Sequence, residues 1–215
     1  MSDSANTPGS LRPGGRTART RAAVLDAVLA ELGETGYGGL TMENVARRSG
    51  VHVATVYRRW RTVEGLIIDL LTLLGATEVP FPDTGSLSGD LRGLSRSIVA
   101  LYVDNTRIRS LVESVVASAT KNARAAEALH DFFALRSERA AVIVERAVER
   151  GELPPDTDGV ELIAAMAAPI YYRMLVSRKP IDTALADRTA NATYVAALSG
   201  VFSTSGFSLD APKVQ

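Results

Sequence analysis

The densest group of recognition-competent side chains in this sequence lies between His52 and Arg61. Arg58, Arg59 and Arg61 each carry a planar guanidinium that can grip a guanine edge or a phosphate through paired hydrogen bonds. Thr55 and Tyr57 add hydroxyls that reach phosphate oxygens. Val53 and Ala54 offer small methyl surfaces of the kind that meet base edges. His52 can contact a base edge or simply cap a helix, and Thr41 stands just upstream as a second hydroxyl of the same set. This is the chemistry of binding and not of bond making. On charge alone an arginine cluster is as readily a solvated helix face, and the two readings balance.

The chemistry of turnover is poorly represented. The chain has no cysteine, which removes thiolate catalysis, disulfides and cysteine-based zinc sites. Its two histidines, His52 and His130, are far apart, which argues against a histidine metal centre. There is no glycine-rich phosphate loop, no serine in a Gly-x-Ser-x-Gly elbow and no marked carboxylate pair. We therefore expect a protein that is not an enzyme, with no metal and no cofactor.

Composition sets wider bounds. The 215 residues are 46% hydrophobic and 22% charged, the balance of a globular protein with a real core. The formal net charge is +0, yet residues 1–66 hold nine arginines against six acids, so the positive surplus sits where the arginine cluster lies. No apolar run approaches the roughly 20 residues needed to span a bilayer. Residues 1–21 lack the apolar block of a signal peptide. A cytoplasmic location without membrane contact is the expectation.

Helical periodicity runs through the chain and never yields to strand alternation, so the fold class is all-α. Residues 1–16 read as a flexible arm. A helix follows from Thr17, with Leu25, Val28, Leu29 and Leu32 at helical spacing, stopping near Gly36 in a Gly-Tyr-Gly-Gly turn. Thr41 is a plausible N-cap for a short helix that ends at Gly50. A second short helix spans 53–60, and Thr62 caps a longer one through Leu66, Leu70 and Leu74. Prolines 80 and 82 enforce a loop over 79–85. Beyond it come a helix marked by Leu91, Leu94, Ile98 and Leu101, a shorter one at 111–115, and one long helix from Leu129 through Ala147. Gly151 is a natural stop. Asp156, Thr157 or Asp158 caps the next helix, which Pro169 should kink or deprive of a backbone bond. The last runs from about 183 to about 202, and residues 204–215 form a polar tail.

Two short helices joined by a tight glycine turn have the anatomy of a helix-turn-helix, whose second member can enter a major groove. The residues that carry a family resemblance lie here. Gly-Val-His-Val-Ala-Thr-Val-Tyr-Arg-Arg-Trp-Arg-Thr-Val-Glu-Gly-Leu (50–66) and the upstream Gly-Tyr-Gly-Gly-Leu-Thr-Met-Glu-Asn-Val-Ala (36–46) resemble the signature of the tetracycline-repressor (TetR) family. Pro-Asp-Thr-Gly (82–85) and Arg-Gly-Glu-Leu (150–153) are similar to segments of one of its ligand-domain subtypes. Two positions depart. The family often carries lysine where Val63 stands, and serine or threonine where His52 stands; Arg61 or the amides after Thr62 can take the phosphate instead.

The resemblance implies a three-helix DNA-binding domain over 17–62 and a larger helical ligand-binding and dimerisation domain over 63–203. It implies a homodimer on a palindromic operator read in the major groove, and release of that operator by a small effector. Thr41, His52, Val53, Ala54, Thr55, Tyr57, Arg58, Arg59 and Arg61 are the expected DNA contacts, with Trp60 and Tyr37 as packing. The last two long helices, with alanines at 164, 165, 167, 168, 190, 192, 196 and 197, would form the dimer face. Leu70, Leu74, Tyr102, Leu111, Ser114, Phe132, Phe133, Met166 and Tyr171 are candidate ligand walls, each also able to serve as plain core. As a group they suit a hydrophobic or aromatic effector, whereas Arg136 or Arg173 facing inward would favour an acidic one. The competing readings are a ligand-binding or protein-docking module that no longer reads DNA, and a DNA binder or activator without an effector.

Overall fold

A computed structural model describes residues 14–76 and 81–205. Most of the expected arm, Val79 and Pro80 of the expected loop, and the tail from 206 lie outside the described residues. Among the described residues the chain is helical with no strand, and its single β-type contact is an isolated bridge between Thr157 and Ser203. The helices are α1 (Gly14–Gly39), α2 (Met42–Ser49), α3 (Val53–Trp60), α4 (Val63–Ala76), α5 (Leu87–Asp104), α6 (Thr106–Ala119), α7 (Ala123–Ala140), α8 (Val142–Glu149), α9 (Gly159–Tyr171) and α10 (Thr183–Leu198).

Each helix forms where an apolar stripe meets a local stop signal. Val24, Leu25, Val28 and Leu32 bury one face of α1. The helix breaks at Gly36, whose φ of 66° suits a residue without Cβ. The Leu40 amide then donates to the Tyr37 carbonyl (3.2 Å), which closes the turn before α2. Leu66, Ile67, Leu70 and Leu71 of α4 extend the α1 core toward α6 and α7. Farther along, α10 lies along α5, where the buried Ser95 hydroxyl donates to the Ala186 carbonyl (2.9 Å) and Arg96 pairs with Asp187 (2.7 Å). One apolar core runs through all of these layers.

Several expected elements need correction. The first helix opens at Gly14, ahead of Thr17. The expected long helix through Ala147 is two helices, because the chain tightens at Ala141: its amide is shared between the Ser137 and Glu138 carbonyls. Gly159 packs against Val144 and Ala141 at this bend, so α9 approaches where the bend makes room. Pro169 does not break α9; the distortion follows it, as a π-turn at Tyr172–Val176 in which the Ser177 amide reaches back to the Tyr172 carbonyl (3.0 Å). The last helix ends at Leu198, and turns carry the chain to Phe202.

The stretch Gly159–Val176, 18 residues with a mean hydropathy of 1.3, has the length and apolarity of a membrane span. Leu162, Ile163, Met166, Ile170 and Met174 face the core, so its buried side is accounted for by packing against the rest of the bundle.

Three helices meet on one carboxylate. Asp69 of α4 accepts from the Arg21 guanidinium of α1 (2.6 Å) and from the Trp60 indole N–H at the end of α3 (2.8 Å). Burial pushes the Asp69 carboxyl up, but the hydrogen bonds from Arg21 and Trp60 outweigh it and hold the carboxyl below the usual aspartate range. Replacing Asp69 with alanine strands both donors, so Asp69→Ala should lower unfolding free energy by about 2 kcal/mol in urea titrations followed by the emission of Trp60. Because the folded pKa is depressed, the carboxylate's contribution is full above the ordinary aspartate value of about 4 and fades as pH falls through the lower folded value. The stability gap between wild type and Asp69→Ala should therefore narrow in acid.

Candidate functional site: nucleic-acid interface and internal cavity

Local bonding sets the α2–α3 pair. The Thr41 hydroxyl accepts from the Asn44 amide (3.1 Å) and starts α2. Gly50, left-handed at φ 68° and ψ 14°, ends it and returns its amide to the Ala46 and Arg47 carbonyls. The His52 imidazole accepts from the Ala54 amide (3.3 Å), so this histidine is the N-cap of α3. Val45, Ala46 and Val56 are buried where the two helices cross. Arg48 is committed to α1, bonded to Glu31 (2.6 Å) and to Glu34.

What remains outward on α3 is a polar face. Thr41, His52, Ala54, Tyr57, Arg58, Arg59 and Arg61 are exposed, while Val53 and Thr55 are half-buried at the edge of the face. Ala54, Tyr57 and Arg58 follow helical spacing and share one stripe of α3, and Arg61 is exposed just past the end of the helix. The Tyr57 hydroxyl donates to Glu43 of α2 (2.7 Å), which lowers the glutamate's pKa and raises the phenol's. That bond fixes where the phenol points. Nothing local in the sequence marks Glu43 as its partner. The Arg59 guanidinium lies 5.1 Å from the Trp60 ring centre, and Trp60 itself is buried. Arg61 adopts φ 64° and ψ −41°, a strained backbone for a residue with a side chain. Thr62 then caps α4 by accepting from the Gly65 amide (3.2 Å).

A cavity of about 310 Å³ lies between α4, α5, α6 and α7. Of the expected ligand walls, Leu74, Tyr102 and Phe132 line it. Phe133 and Tyr171 line a smaller recess that shares Phe81, Leu94, Ile98 and Arg136 with it. Leu70, Leu111 and Met166 are packed in the core instead, and the Ser114 hydroxyl is spent on the Ser110 carbonyl. Reasoning from sequence did not single out Leu94, Ser97, Ile98 and Leu101, which recur at helical spacing on α5 and form a whole wall. Phe81 and Pro82 supply another wall from a strap that ties back outside the cavity. There the Thr84 amide donates to the buried Asp90 (2.6 Å), Arg146 donates to the Pro82 carbonyl (3.2 Å), and Glu152 accepts from the Leu87 amide (2.9 Å). The Pro-Asp-Thr-Gly and Arg-Gly-Glu-Leu segments thus meet in space.

Tyr102 and Tyr171 pack edge to face with ring centres 5.9 Å apart. Burial drives the Tyr102 phenol well above its ordinary pKa, against the opposing pull of the Arg136 charge. Arg136 lines both cavity and recess, with its guanidinium 5.6 Å from the Phe132 ring centre. Arg173 does not enter; it donates to the Pro180 carbonyl (3.3 Å).

A second surface is apolar and outward. Val160, Tyr172, Val176, Val195 and Leu198 are all exposed on α9, its π-turn and α10. A shallow groove between the two helices is lined by Ala165, Ala192, Thr193 and Ala196.

Comparison with known proteins agrees along the chain. Residues 24–70 match the model of the bacterial regulatory proteins, tetR family, and residues 81–193 match that of the tetracyclin repressor-like C-terminal domain. The chain is 32% identical over 170 residues to the HTH-type transcriptional regulator AqdR of Rhodococcus erythropolis, covering 79% of this chain and 81% of that protein. It is 27% identical over 175 residues to the HTH-type regulator YdeS of Bacillus subtilis, covering 80% and 87%. The crystal structure of a TetR family transcription regulator superposes with a TM-score of 0.67 at 30% identity, covering 82% of this chain and 97% of that one. A TetR transcriptional regulator from Agrobacterium tumefaciens shares the fold, with a TM-score of 0.63 at 20% identity, covering 86% and 94%.

The junction of α3 with α4 has no spare room. A Cβ on Gly65 would overlap the Trp60 carbonyl oxygen, which belongs to the backbone and cannot swing aside. Gly65→Ala should therefore cost about 1–3 kcal/mol and red-shift the native emission of Trp60 as the helix ends separate, while circular dichroism retains the helical signal.

Proposed function

We infer that this chain, which belongs to the TetR family of bacterial regulatory proteins, is a homodimeric repressor that leaves its operator when a small, largely hydrophobic effector enters the cavity. It is a DNA-binding transcriptional regulator of the helix-turn-helix type. The observation that carries the reading is the outward stripe of Ala54, Tyr57 and Arg58 on α3, with exposed Arg61 just past its end, presented after a left-handed glycine turn within the family-matching segment. In this reading α3 lies in the major groove and the arginines divide between base edges and phosphates. Thr41 and His52, each already a cap, flank the contact. Binding, and not turnover, is the activity we assign.

Dimerisation is proposed through α9 and α10. Val160, Val176, Val195, Tyr172 and Leu198 are exposed on these elements. The groove between them is lined by Ala165, Ala192 and Ala196 together with Arg188 and Phe202, a surface on which a second copy would repeat the reading head about a two-fold axis. The division of labour we propose places DNA contact in 17–62 and ligand and partner contact in 63–203. Coupling runs through α4, which carries Leu74 at the cavity and Asp69 under the end of α3. A ligand that moves α4 shifts α3 through the Trp60–Asp69 bond. A typical coupling of about 1–3 kcal/mol would weaken operator binding roughly 5–150-fold.

Two experiments test this. Purified protein should bind a short two-fold site in the DNA flanking its own gene and resist random competitor. Arg58→Ala should weaken that binding by about tenfold or more, and if Arg58 meets a phosphate the slope of affinity against salt should fall by about one. Retention of full affinity and slope in Arg58→Ala and Arg61→Ala together would refute the assigned reading face. In light scattering, Val195→Asp combined with Leu198→Asp should convert dimer to monomer and reduce operator affinity by roughly 100-fold, the loss expected when two linked half-site contacts become independent.

A further inference from the structure

The charge arrangement inside the cavity points to the class of its ligand, an inference that rests on reading the cavity as the effector site. Among the described residues that line the cavity and its recess, Arg136 is the one with a charge, and no described acid is in that lining. The neighbouring arginines have their donors engaged: Arg146 by Asp83 and the Pro82 carbonyl, Arg150 by Glu152, and Arg173 by the Pro180 carbonyl. Arg136 is instead half-buried with its guanidinium against the Phe132 ring. A ring contact does not satisfy the in-plane N–H donors of a guanidinium, and a cation set in an apolar wall is costly without a counter-charge. The Ser97 hydroxyl spends its proton on the Gly93 carbonyl (2.9 Å), which leaves Arg136 as the charged donor that an incoming acceptor meets.

We propose that the cavity takes a compact amphipathic anion, with its carboxylate or comparably acidic oxygen on Arg136 and its apolar body among Leu94, Ile98, Leu101 and Phe132. A volume of about 310 Å³ is at the small end of ligand sites, which favours a short acyl chain or a small ring system over an extended lipid. The guanidinium supplies the attraction, and the apolar walls that exclude water strengthen it.

The test is calorimetry on the full-length protein with three probes of one chain length, decanoate, 1-decanol and decylamine, on wild type, Arg136→Met, Arg136→Lys and Ile98→Trp. Wild type should bind decanoate at least about tenfold more tightly than 1-decanol and decylamine, the weight of a charge-assisted hydrogen bond. Arg136→Met, which keeps the stem and removes the charge, should bind decanoate and 1-decanol alike, and Arg136→Lys should keep part of the preference. Ile98→Trp, which fills the cavity, should abolish binding of all three. Equal binding of decanoate and 1-decanol by wild type would overturn the anion class while leaving the effector site in place. A preference that survives in Arg136→Met or in Ile98→Trp would overturn the assignment to Arg136 and this cavity. Absence of binding by all three probes to folded wild type would overturn the effector-site reading, and the anion class with it.

Discussion

One carboxylate sets the geometry of the reading head. Asp69 sits on α4 and takes hydrogen bonds from α1 and from the last residue of α3, so a single side chain fixes the angle among three helices. Burial works against its charge and the two donors more than offset it. The short helix that presents Tyr57 and Arg58 has only Val56 and Trp60 buried to hold it. Without Asp69, Trp60 would keep its packing and lose its direction. The nearby Gly65 completes the constraint, since α4 can come close enough to place Asp69 only because nothing projects toward the Trp60 carbonyl.

The same helix that carries Asp69 ends at the cavity. Between those ends, Leu66, Ile67, Leu70 and Leu71 are packed against α1, α6 and α7, so α4 moves as a rod or not at all. Tight packing along a helix turns a displacement at one end into a displacement at the other, and that is the physical content of the coupling assigned to it. The ion pairs of Arg48 with Glu31 and Glu34 tie α2 to α1 independently.

Local features were legible in the sequence and distant ones were not. Thr41, Thr62 and Asp158 cap helices through bonds to amides three residues on, and Gly50 and Gly151 stop helices by left-handed turns; such signals lie within a few residues. Apolar spacing found the buried stripes of Leu25, Val28 and Leu32 and of Leu66 and Leu70. It placed Tyr37 in packing, whereas Tyr37 is exposed, and Glu31 off the apolar face, whereas Glu31 is buried. It did not distinguish filled interior from empty interior: Leu111 and Met166 are solid core, whereas Leu94 and Ile98, equally apolar and equally spaced, face the cavity. The break at Ala141 carries no proline or glycine, and so left no trace in the pattern. Arg21 and Asp69 are 48 positions apart, and no periodicity links them.

The strap that begins at Phe81 has a separate consequence. Its inner side chains, Phe81 and Pro82, touch the cavity, while the bonds that hold it are made on the far side by Asp90, Arg146 and Glu152. Shape and anchorage are thus assigned to different residues. Substitutions at the inner positions can reshape the chamber without loosening the bundle, whereas α5 and α7, whose cavity residues belong to the common core, cannot vary so freely. Diversification of what this protein senses has an inexpensive route through one short segment, and the helical scaffold can stay as it is.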